Sequence, residues 1–223
     1  MGNVIKEPVG GNLRAIKNSL GVQDSLDRIT GEASLQLSVI YGPPLAGKSS
    51  YINSHADRFN HLSLGRIVRE RAGQQDHLGS VLRDSIENNV PLSSNILLNL
   101  ALPVSRLSRA KENILEGYPK YAYEVPPLVE RCDENDIELY KLYVKQPSLK
   151  KLLQRLAMRR TCDPCYRPLI VGEDCDCGGT PIIRQEDTKE YFMGRYDRYM
   201  ANAEQTISEL TKYCVEVVDV TDN

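Results

Sequence analysis

The feature that most constrains this chain is a glycine-rich segment that joins an apolar run to a helical pattern. Residues 42–49 read Gly-Pro-Pro-Leu-Ala-Gly-Lys-Ser, which fits the pattern G-x-x-x-x-G-K-[ST]. The preceding residues, 35–41, are rich in strand formers, and a helix is expected to begin near Lys48. In that context the loop directs successive backbone N–H groups toward phosphate oxygens, and the helix N-terminus adds partial positive charge. The segment therefore predicts a phosphate-binding loop.

The loop residues form one predicted binding set for a nucleoside triphosphate or a related ligand. Lys48 would reach the β- and γ-phosphates, and a hydroxyl from Ser49 or Ser50 would lie near Mg²⁺. The predicted phosphate-contacting residues are Gly42, Pro43, Pro44, Leu45, Ala46, Gly47, Lys48, Ser49 and Ser50.

Strand and helix patterns alternate along the rest of the chain. Further strands are predicted at residues 61–63, 113–116, 137–144 and 214–220. Helices are predicted at residues 65–89, 94–107, 147–160 and 186–212. This alternation favours an α/β fold with a parallel sheet covered by helices on both faces. Residues 1–34 show little periodicity and are predicted to be an N-terminal extension to a domain over residues 35–223.

Composition and charge argue against several classes of protein. The 223 residues include 28 basic and 30 acidic side chains, so nucleic-acid binding has no electrostatic support. No stretch approaches the roughly 18 apolar residues of a membrane span. Residues 1–10 lack the apolar core of a signal peptide. We therefore expect a cytoplasmic monomer with neither a nucleic-acid nor a membrane partner.

Four of the six cysteines fall within sixteen consecutive positions. They are Cys162, Cys165, Cys175 and Cys177. In a reducing compartment such a cluster is more often a metal site than a pair of disulfides. The segment that contains them, residues 161–183, is also rich in Gly and Pro, so we expect a small insert stapled by a metal ion.

Several motifs follow the phosphate loop, and their order resembles that of the adenylate kinase (nucleoside monophosphate kinase) family. Residues 42–50 are similar to the family's loop G-x-P-G-x-G-K-G-T. The other matching segments are residues 64–69 (similar to T-G-D-x-x-R), 114–120 (hydrophobic-D-G-F-P-R), 155–160 (R-x-x-x-R-R), 177–179 (C-G-G) and 184–187 (R-x-D-D). Arg195 follows Arg184 by eleven residues, which is the family spacing.

The resemblance implies a P-loop NTPase fold with a five-stranded parallel core. A helical segment over about residues 64–93 would bind the nucleoside monophosphate, and a hinged, zinc-stapled lid would cover about residues 161–186. The implied reaction moves the γ-phosphoryl group of ATP, with Mg²⁺, to a nucleoside monophosphate. AMP is the acceptor that the family favours, and the products would then be two ADP.

The resemblance also implies roles for the basic residues. Phosphoryl transfer needs no protein nucleophile, but it needs two phosphates held in line and the moving charge neutralised. The implied catalytic residues are Lys48, Arg159, Arg184 and Arg195. Arg155 would stack on the donor base or clamp its phosphates. The residues implied to bind the monophosphate are Leu64, Gly65, Arg69, Gly117, Lys120, Glu124, Arg184 and Arg195.

Three of the clustered cysteines match the family's zinc site by spacing, and the fourth ligand is open. Asp174 lies three residues before Cys177, which is the family spacing, whereas Cys175 lies two before it. Thiolate is the better ligand for zinc, so Cys175 is favoured over Asp174. The role of this Zn²⁺ would be structural.

The chain departs from the family pattern at several site positions. The departures are Leu45 for Gly, Leu64 for Thr, Arg66 for Asp, Glu116 for Asp, Lys120 for Arg and Glu124 for Gln. Lys lacks the bidentate fork of Arg, and a side chain on residue 45 would crowd or cover the phosphates. A catalytically weak nucleotide-binding regulatory module is therefore an alternative function.

Glu124 bears on the choice of acceptor base. Gln both donates and accepts along the edge of adenine, whereas a carboxylate only accepts. Guanine offers N1–H and N2–H donors, so GMP is an alternative acceptor. The competing interpretation is that Glu124 faces solvent or pairs with a neighbouring lysine.

Overall fold

The computed structural model describes residues 35–88 and 90–221. The predicted N-terminal extension, residues 1–34, lies outside the described residues. Within the described part, no helix is both long and apolar enough to cross a membrane.

The described chain contains a large parallel sheet and a small antiparallel one. The strands are β1 (Leu35–Tyr41), β2 (Phe59–Ser63), β3 (Glu112–Glu116), β4 (Ile137–Val144), β5 (Arg159–Asp163), β6 (Pro168–Ile170), β7 (Thr180–Ile182) and β8 (Glu216–Asp219). The large sheet has the order β2-β3-β1-β4-β8, and every pair in it is parallel. The small sheet has the order β6-β5-β7. The predicted α/β fold with a five-stranded parallel sheet is confirmed.

Helices cover the large sheet on both faces. They are α1 (Lys48–Asn53), α2 (Leu64–Ala72), α3 (His77–Glu87), α4 (Ser94–Ala101), α5 (Val125–Glu134), α6 (Leu149–Met158) and α7 (Lys189–Leu210). Neighbouring residues of β1 point to opposite faces, so Val39 joins the main core with Leu128 of α5. Ile40 instead packs with Ile52 of α1 in a second cluster. The central strand is apolar on both sides because both sides are buried.

Several predicted boundaries are wrong for local reasons. The single helix predicted over residues 65–89 is two helices, because Asp76 caps a new one: its carboxylate accepts the Gly79 N–H at 2.8 Å. The helix predicted over 94–107 ends at Ala101, two residues before Pro103. The helix predicted over 147–160 ends at Met158, so the next residues belong to β5.

The sequence patterns did not predict α5. This helix carries two consecutive prolines, Pro126 and Pro127, in its first turn. Proline is tolerated there because the first N–H groups of a helix have no partner within it. A Pro-Pro pair otherwise reads as a helix breaker.

Gly42 connects β1 to the phosphate loop at a point where the backbone of β4 passes very close. The Lys145 N–H donates to the Tyr41 carbonyl at 2.9 Å. A Cβ atom built on Gly42 would lie 2.1 Å from the Lys145 carbonyl oxygen, a separation that real atoms do not reach. Only glycine fits here.

We expect Gly42→Ala to lower the free energy of unfolding by ~3 kcal/mol or more, because the new methyl group must displace backbone atoms. Gly194→Ala is the matched control, since Gly194 lies within α7 and its added Cβ would meet nothing within 4 Å. The control should gain about 0.5–1 kcal/mol from helix propensity. Urea unfolding followed by far-ultraviolet circular dichroism measures both, and equal effects would contradict the packing argument.

Candidate functional site

The phosphate loop surrounds the side chain of Lys48, the first residue of α1. Gly47 precedes the helix in the left-handed region, with φ 84°. The Lys48 ammonium donates to the carbonyl oxygens of Gly42 and Pro43 at 2.9 and 2.8 Å. The pKa of Lys48 is lowered to about 8, mainly by burial; the charge of Glu116 opposes this shift and that of Arg195 adds to it. At neutral pH the group is therefore still mostly protonated.

Glu116 ends β3 beside the loop and gathers three partners. Its carboxylate accepts from the Ser49 hydroxyl at 2.8 and 2.9 Å and lies 2.8 Å from His61 Nε2. Burial alone would raise the pKa of Glu116, but His61, Lys48 and Ser49 together bring it below its usual value. An ionised carboxylate and a hydroxyl thus lie side by side, and both are oxygen donors of the kind that Mg²⁺ prefers.

No sequence pattern indicated His61 as a site residue. Its contact depends on the parallel pairing of β2 with β3, in which Ser63 lies beside Glu116. That register brings the imidazole within hydrogen-bonding distance of a carboxylate 55 positions away in the chain.

Arg155, on α6, is engaged with the loop backbone. Its Nη1 atom donates to the carbonyl oxygens of Leu45 and Ala46 at 3.1 and 2.7 Å. The guanidinium therefore packs against the loop. Its Nη1 atom would lie 3.3 Å from a Cβ built on Gly47.

Asp187 brings two of the predicted arginines together. Its Oδ2 atom accepts from Arg159 Nε at 3.1 Å and from Arg184 Nε at 2.9 Å, and Arg184 also donates to Oδ1 at 3.2 Å. The carboxylate is buried, yet the two arginines hold its pKa below the usual value. Sequence comparison placed Asp187 in a matching segment without assigning it a role.

The remaining basic residues lie near this pair. Burial of its guanidinium lowers the pKa of Arg69, and the charges of Arg184 and Arg159 lower it further. Burial likewise lowers the pKa of Arg195, with Arg184 again contributing. Lys120 has a lowered pKa for the same reasons, burial first and then its proximity to Arg195. Arg69 of α2, Arg195 of α7, and the pair Arg159 and Arg184, which lie where the chain enters and leaves the small sheet, therefore form a group of interacting positive charges.

Two departures from the family pattern, Arg66 and Leu64, lie on the surface and in the main core. Arg66 is exposed and faces Glu70 at 3.7 Å along the surface of α2. Leu64 is buried in the main core, 3.7 Å from a Cβ built on Gly117. The adjacent Gly65 would place a Cβ 3.4 Å from Arg69 Nη1.

Glu124 is buried and closes the turn after Gly117. One carboxylate oxygen, Oε2, accepts the N–H groups of Lys120 at 2.6 Å and Tyr121 at 3.2 Å. Its backbone carbonyl accepts from the Tyr118 hydroxyl at 2.9 Å. The side chain is therefore buried. The interpretation that Glu124 faces solvent is wrong.

The small sheet places four cysteine sulfurs within 4.8 Å of one another. Cys162 lies 3.3 Å from Cys177, and Cys175 lies 3.4 Å from Cys177 and 3.5 Å from Cys165, all measured between Sγ atoms. A tetrahedral zinc thiolate site with Zn–S bonds of about 2.3 Å has sulfurs ~3.8 Å apart, so the donors fit such an ion. Asp174 does not belong to this close set.

The cluster also explains a glycine of the insert. A Cβ on Gly179 would lie 2.5 Å from the Cys162 sulfur and 2.4 Å from the Asp163 carbonyl oxygen. Apart from the cysteines, the buried apolar cluster of this small unit contains Leu169. A core of that size is small for three short strands, and a metal ion bound by the four sulfurs would add stability to it.

We expect Cys175→Ser to lower the bound metal from about one ion per chain to a small fraction, because a hydroxyl is a poor replacement for a thiolate ligand. Asp174→Ala is the control and should keep its metal. Inductively coupled plasma mass spectrometry of the purified proteins makes the comparison. Loss of metal from the Asp174 variant with retention in the Cys175 variant would identify the carboxylate as the fourth ligand.

Comparisons with known proteins agree with these features. An adenylate kinase of Thermococcus sibiricus is 32% identical over 180 residues, which cover 76% of this chain and 80% of that protein. Adenylate kinases of Thermococcus onnurineus and Petrotoga mobilis are 30% and 28% identical, over 80% and 78% of this chain and 84% and 85% of theirs. No family model matches the sequence. Relatives of this identity and coverage, together with the phosphate loop, the parallel sheet and the cysteine cluster, show that the chain belongs to the adenylate kinase family of nucleoside monophosphate phosphotransferases, in its zinc-lid type.

Proposed function

We propose that the protein transfers the γ-phosphoryl group of ATP, with Mg²⁺, to AMP and releases two ADP. The observation that carries this proposal is the convergence of Arg69, Arg159, Arg184 and Arg195 near a phosphate loop whose lysine and serine flank a carboxylate. These clustered positive charges would stabilise the negative phosphate groups of the donor and the acceptor when both are bound.

The donor would occupy the loop. Lys48 would exchange the carbonyl oxygens of Gly42 and Pro43 for phosphate oxygens, and its pKa of about 8 leaves it charged at neutral pH. Ser49 and Glu116 would hold Mg²⁺, which neutralises phosphate charge when bound. His61 keeps the Glu116 carboxylate oriented and ionised.

The acceptor would be held by residues of the segment over 64–93 and of the turn after β3. Arg69 and Lys120 would contact its phosphate, while the arginine pair on Asp187 would neutralise the moving phosphoryl group. Because Asp187 fixes both guanidinium groups before substrate binds, little reorganisation is needed during transfer.

Residues 161–186 would act as a lid over the two nucleotides, with Zn²⁺ bound by the four cysteines. This ion would hold the fold of the lid and take no part in the chemistry. Closure of the lid over the arginine pair and the phosphates would exclude water, which would otherwise compete as acceptor.

The test is ADP formation by the metal-quantified protein from ATP and Mg²⁺ with each of AMP, GMP, CMP, UMP and dTMP. We expect turnover with AMP, and a loss of about 100-fold or more in kcat for Lys48→Ala. Lys212→Ala is the matched control, because Lys212 is exposed, lies beyond the end of α7 and pairs only with Glu209 on the surface among the contacts described. Nucleotide binding without turnover on any acceptor would contradict the proposal and favour a regulatory nucleotide-binding module.

A second candidate, GMP as acceptor, is favoured by the bonding of Glu124. Its Oε2 atom is occupied by two backbone N–H groups, so the other oxygen is the one left for a base. That atom can only accept a hydrogen bond, which suits the N1–H and N2–H groups of guanine.

Glu124→Gln separates the two acceptors. The amide oxygen of Gln can keep both backbone bonds, which places the NH₂ group where the free carboxylate oxygen was and turns an acceptor into a donor. We expect the ratio of kcat/KM for AMP over GMP to rise by ~10-fold or more. Glu70→Gln, on the exposed surface of α2, is the control. An unchanged ratio would show that Glu124 closes the turn and does not read the base.

A further inference from the structure

The phosphate loop contains a leucine in a backbone conformation that leucine rarely adopts. Leu45 has φ 62°, in the left-handed region where glycine is the usual residue. A strained residue of this kind persists where its surroundings hold it in place. The contacts of the side chain show what holds it.

Leu45 packs into an apolar cluster formed by two helices. The cluster contains Leu149, Leu152, Leu153 and Leu156 of α6 together with Phe192, Met193 and Tyr196 of α7. Leu152 and Phe192 are almost completely buried in it. The left-handed backbone thus turns the side chain toward α6 and α7 and into their shared apolar contact.

The same part of the loop is also held through its backbone. Arg155 of α6 donates to the carbonyl oxygens of Leu45 and Ala46. In a trans peptide the C=O and the following N–H point in opposite directions, so a carbonyl fixed toward Arg155 directs the Gly47 N–H to the other side. Arg155 thus limits the orientation of an N–H group in a loop of the type that binds phosphate through its N–H groups.

Both helices of the cluster connect directly to the small sheet. α6 ends at Met158 and β5 begins at Arg159. α7 begins at Lys189, two residues after the end of the short turn that contains Asp187. The apolar cluster therefore lies on the two helices through which the small sheet joins the rest of the described chain.

We propose that Leu45 is a positioning residue, which anchors the phosphate loop to α6 and α7 and thereby holds the loop in the conformation that binds the donor phosphates. The inference rests on the proposed ATP site. It predicts that ATP affinity depends on an apolar side chain at residue 45, although glycine would relieve the backbone.

Three substitutions separate the side chain from the backbone. Leu45→Gly removes both the strain and the anchor, and Leu45→Asn does the same with a residue that tolerates the left-handed region. Leu45→Met keeps an apolar side chain of similar volume. We expect the Gly and Asn variants to bind ATP with Mg²⁺ about 10-fold more weakly by isothermal titration calorimetry, and the Met variant to stay within ~2-fold of wild type.

Two further readouts distinguish positioning from a general structural role. KM for ATP should rise in the Gly and Asn variants while KM for the acceptor stays unchanged. In the ligand-free protein, hydrogen–deuterium exchange of a peptide covering residues 42–53 should become faster in these variants and stay as in wild type in the Met variant. A purely structural role would raise both KM values together and lower the thermal midpoint.

An ATP affinity of the Gly variant equal to or tighter than wild type would overturn the inference. Failure of the proposed function has a different signature, which is the absence of ATP binding by the wild-type protein. The exchange measurement needs no nucleotide and would still decide the anchoring. Unchanged exchange in the Gly variant would overturn it, and faster exchange would support it.

Discussion

No side chain fits between β1 and β4 where the phosphate loop begins, because Gly42 lies against the carbonyl oxygen of Lys145. This close approach fixes the start of the loop to the centre of the parallel sheet. The loop then passes beside α6, where Arg155 donates to its carbonyl groups. It ends at Gly47, and α1 begins at the next residue. Glu116, at the carboxyl end of the neighbouring strand β3, therefore lies beside this loop.

Two carboxylates organise the charges around that loop. Glu116 orients Ser49 and His61 at the end of β3, and Asp187 holds Arg159 and Arg184 beside the small sheet. Each carboxylate stays ionised although it is largely buried, because its partners outweigh the cost of desolvation. The result is a positive field whose members are held by fixed hydrogen bonds, which is the kind of preorganisation that phosphoryl transfer requires.

The small sheet has a different basis for its stability. Its strands have three to five residues, and its buried cluster contains Cys162, Cys175 and Leu169. A unit of this size buries little apolar surface, and a metal ion bound by the four sulfurs would supply stability that packing does not.

Much of the fold is readable from local sequence. The bounds of β1 and β4 agree with the apolar runs at residues 35–41 and 137–144, because buried parallel strands are short, continuous and bounded by turn residues. Helix boundaries are less readable. Pro126 and Pro127 kept α5 from being predicted, and the cap at Asp76 divides a helix that was predicted as one. Both effects depend on individual residues rather than on the periodic pattern of apolar residues.

The sequence by itself determined the chemistry of this protein: a phosphate loop, a set of arginines and a group of cysteines at spacings that indicate a family. The tertiary structure decided which of these groups meet. It paired His61 with Glu116 through strand register, placed Cys175 rather than Asp174 in the sulfur cluster, and packed Leu45 against the apolar cluster of α6 and α7. Local patterns specify residue types and elements. Partners that are distant in the chain depend on the register and packing of whole elements, which no single segment of the sequence contains.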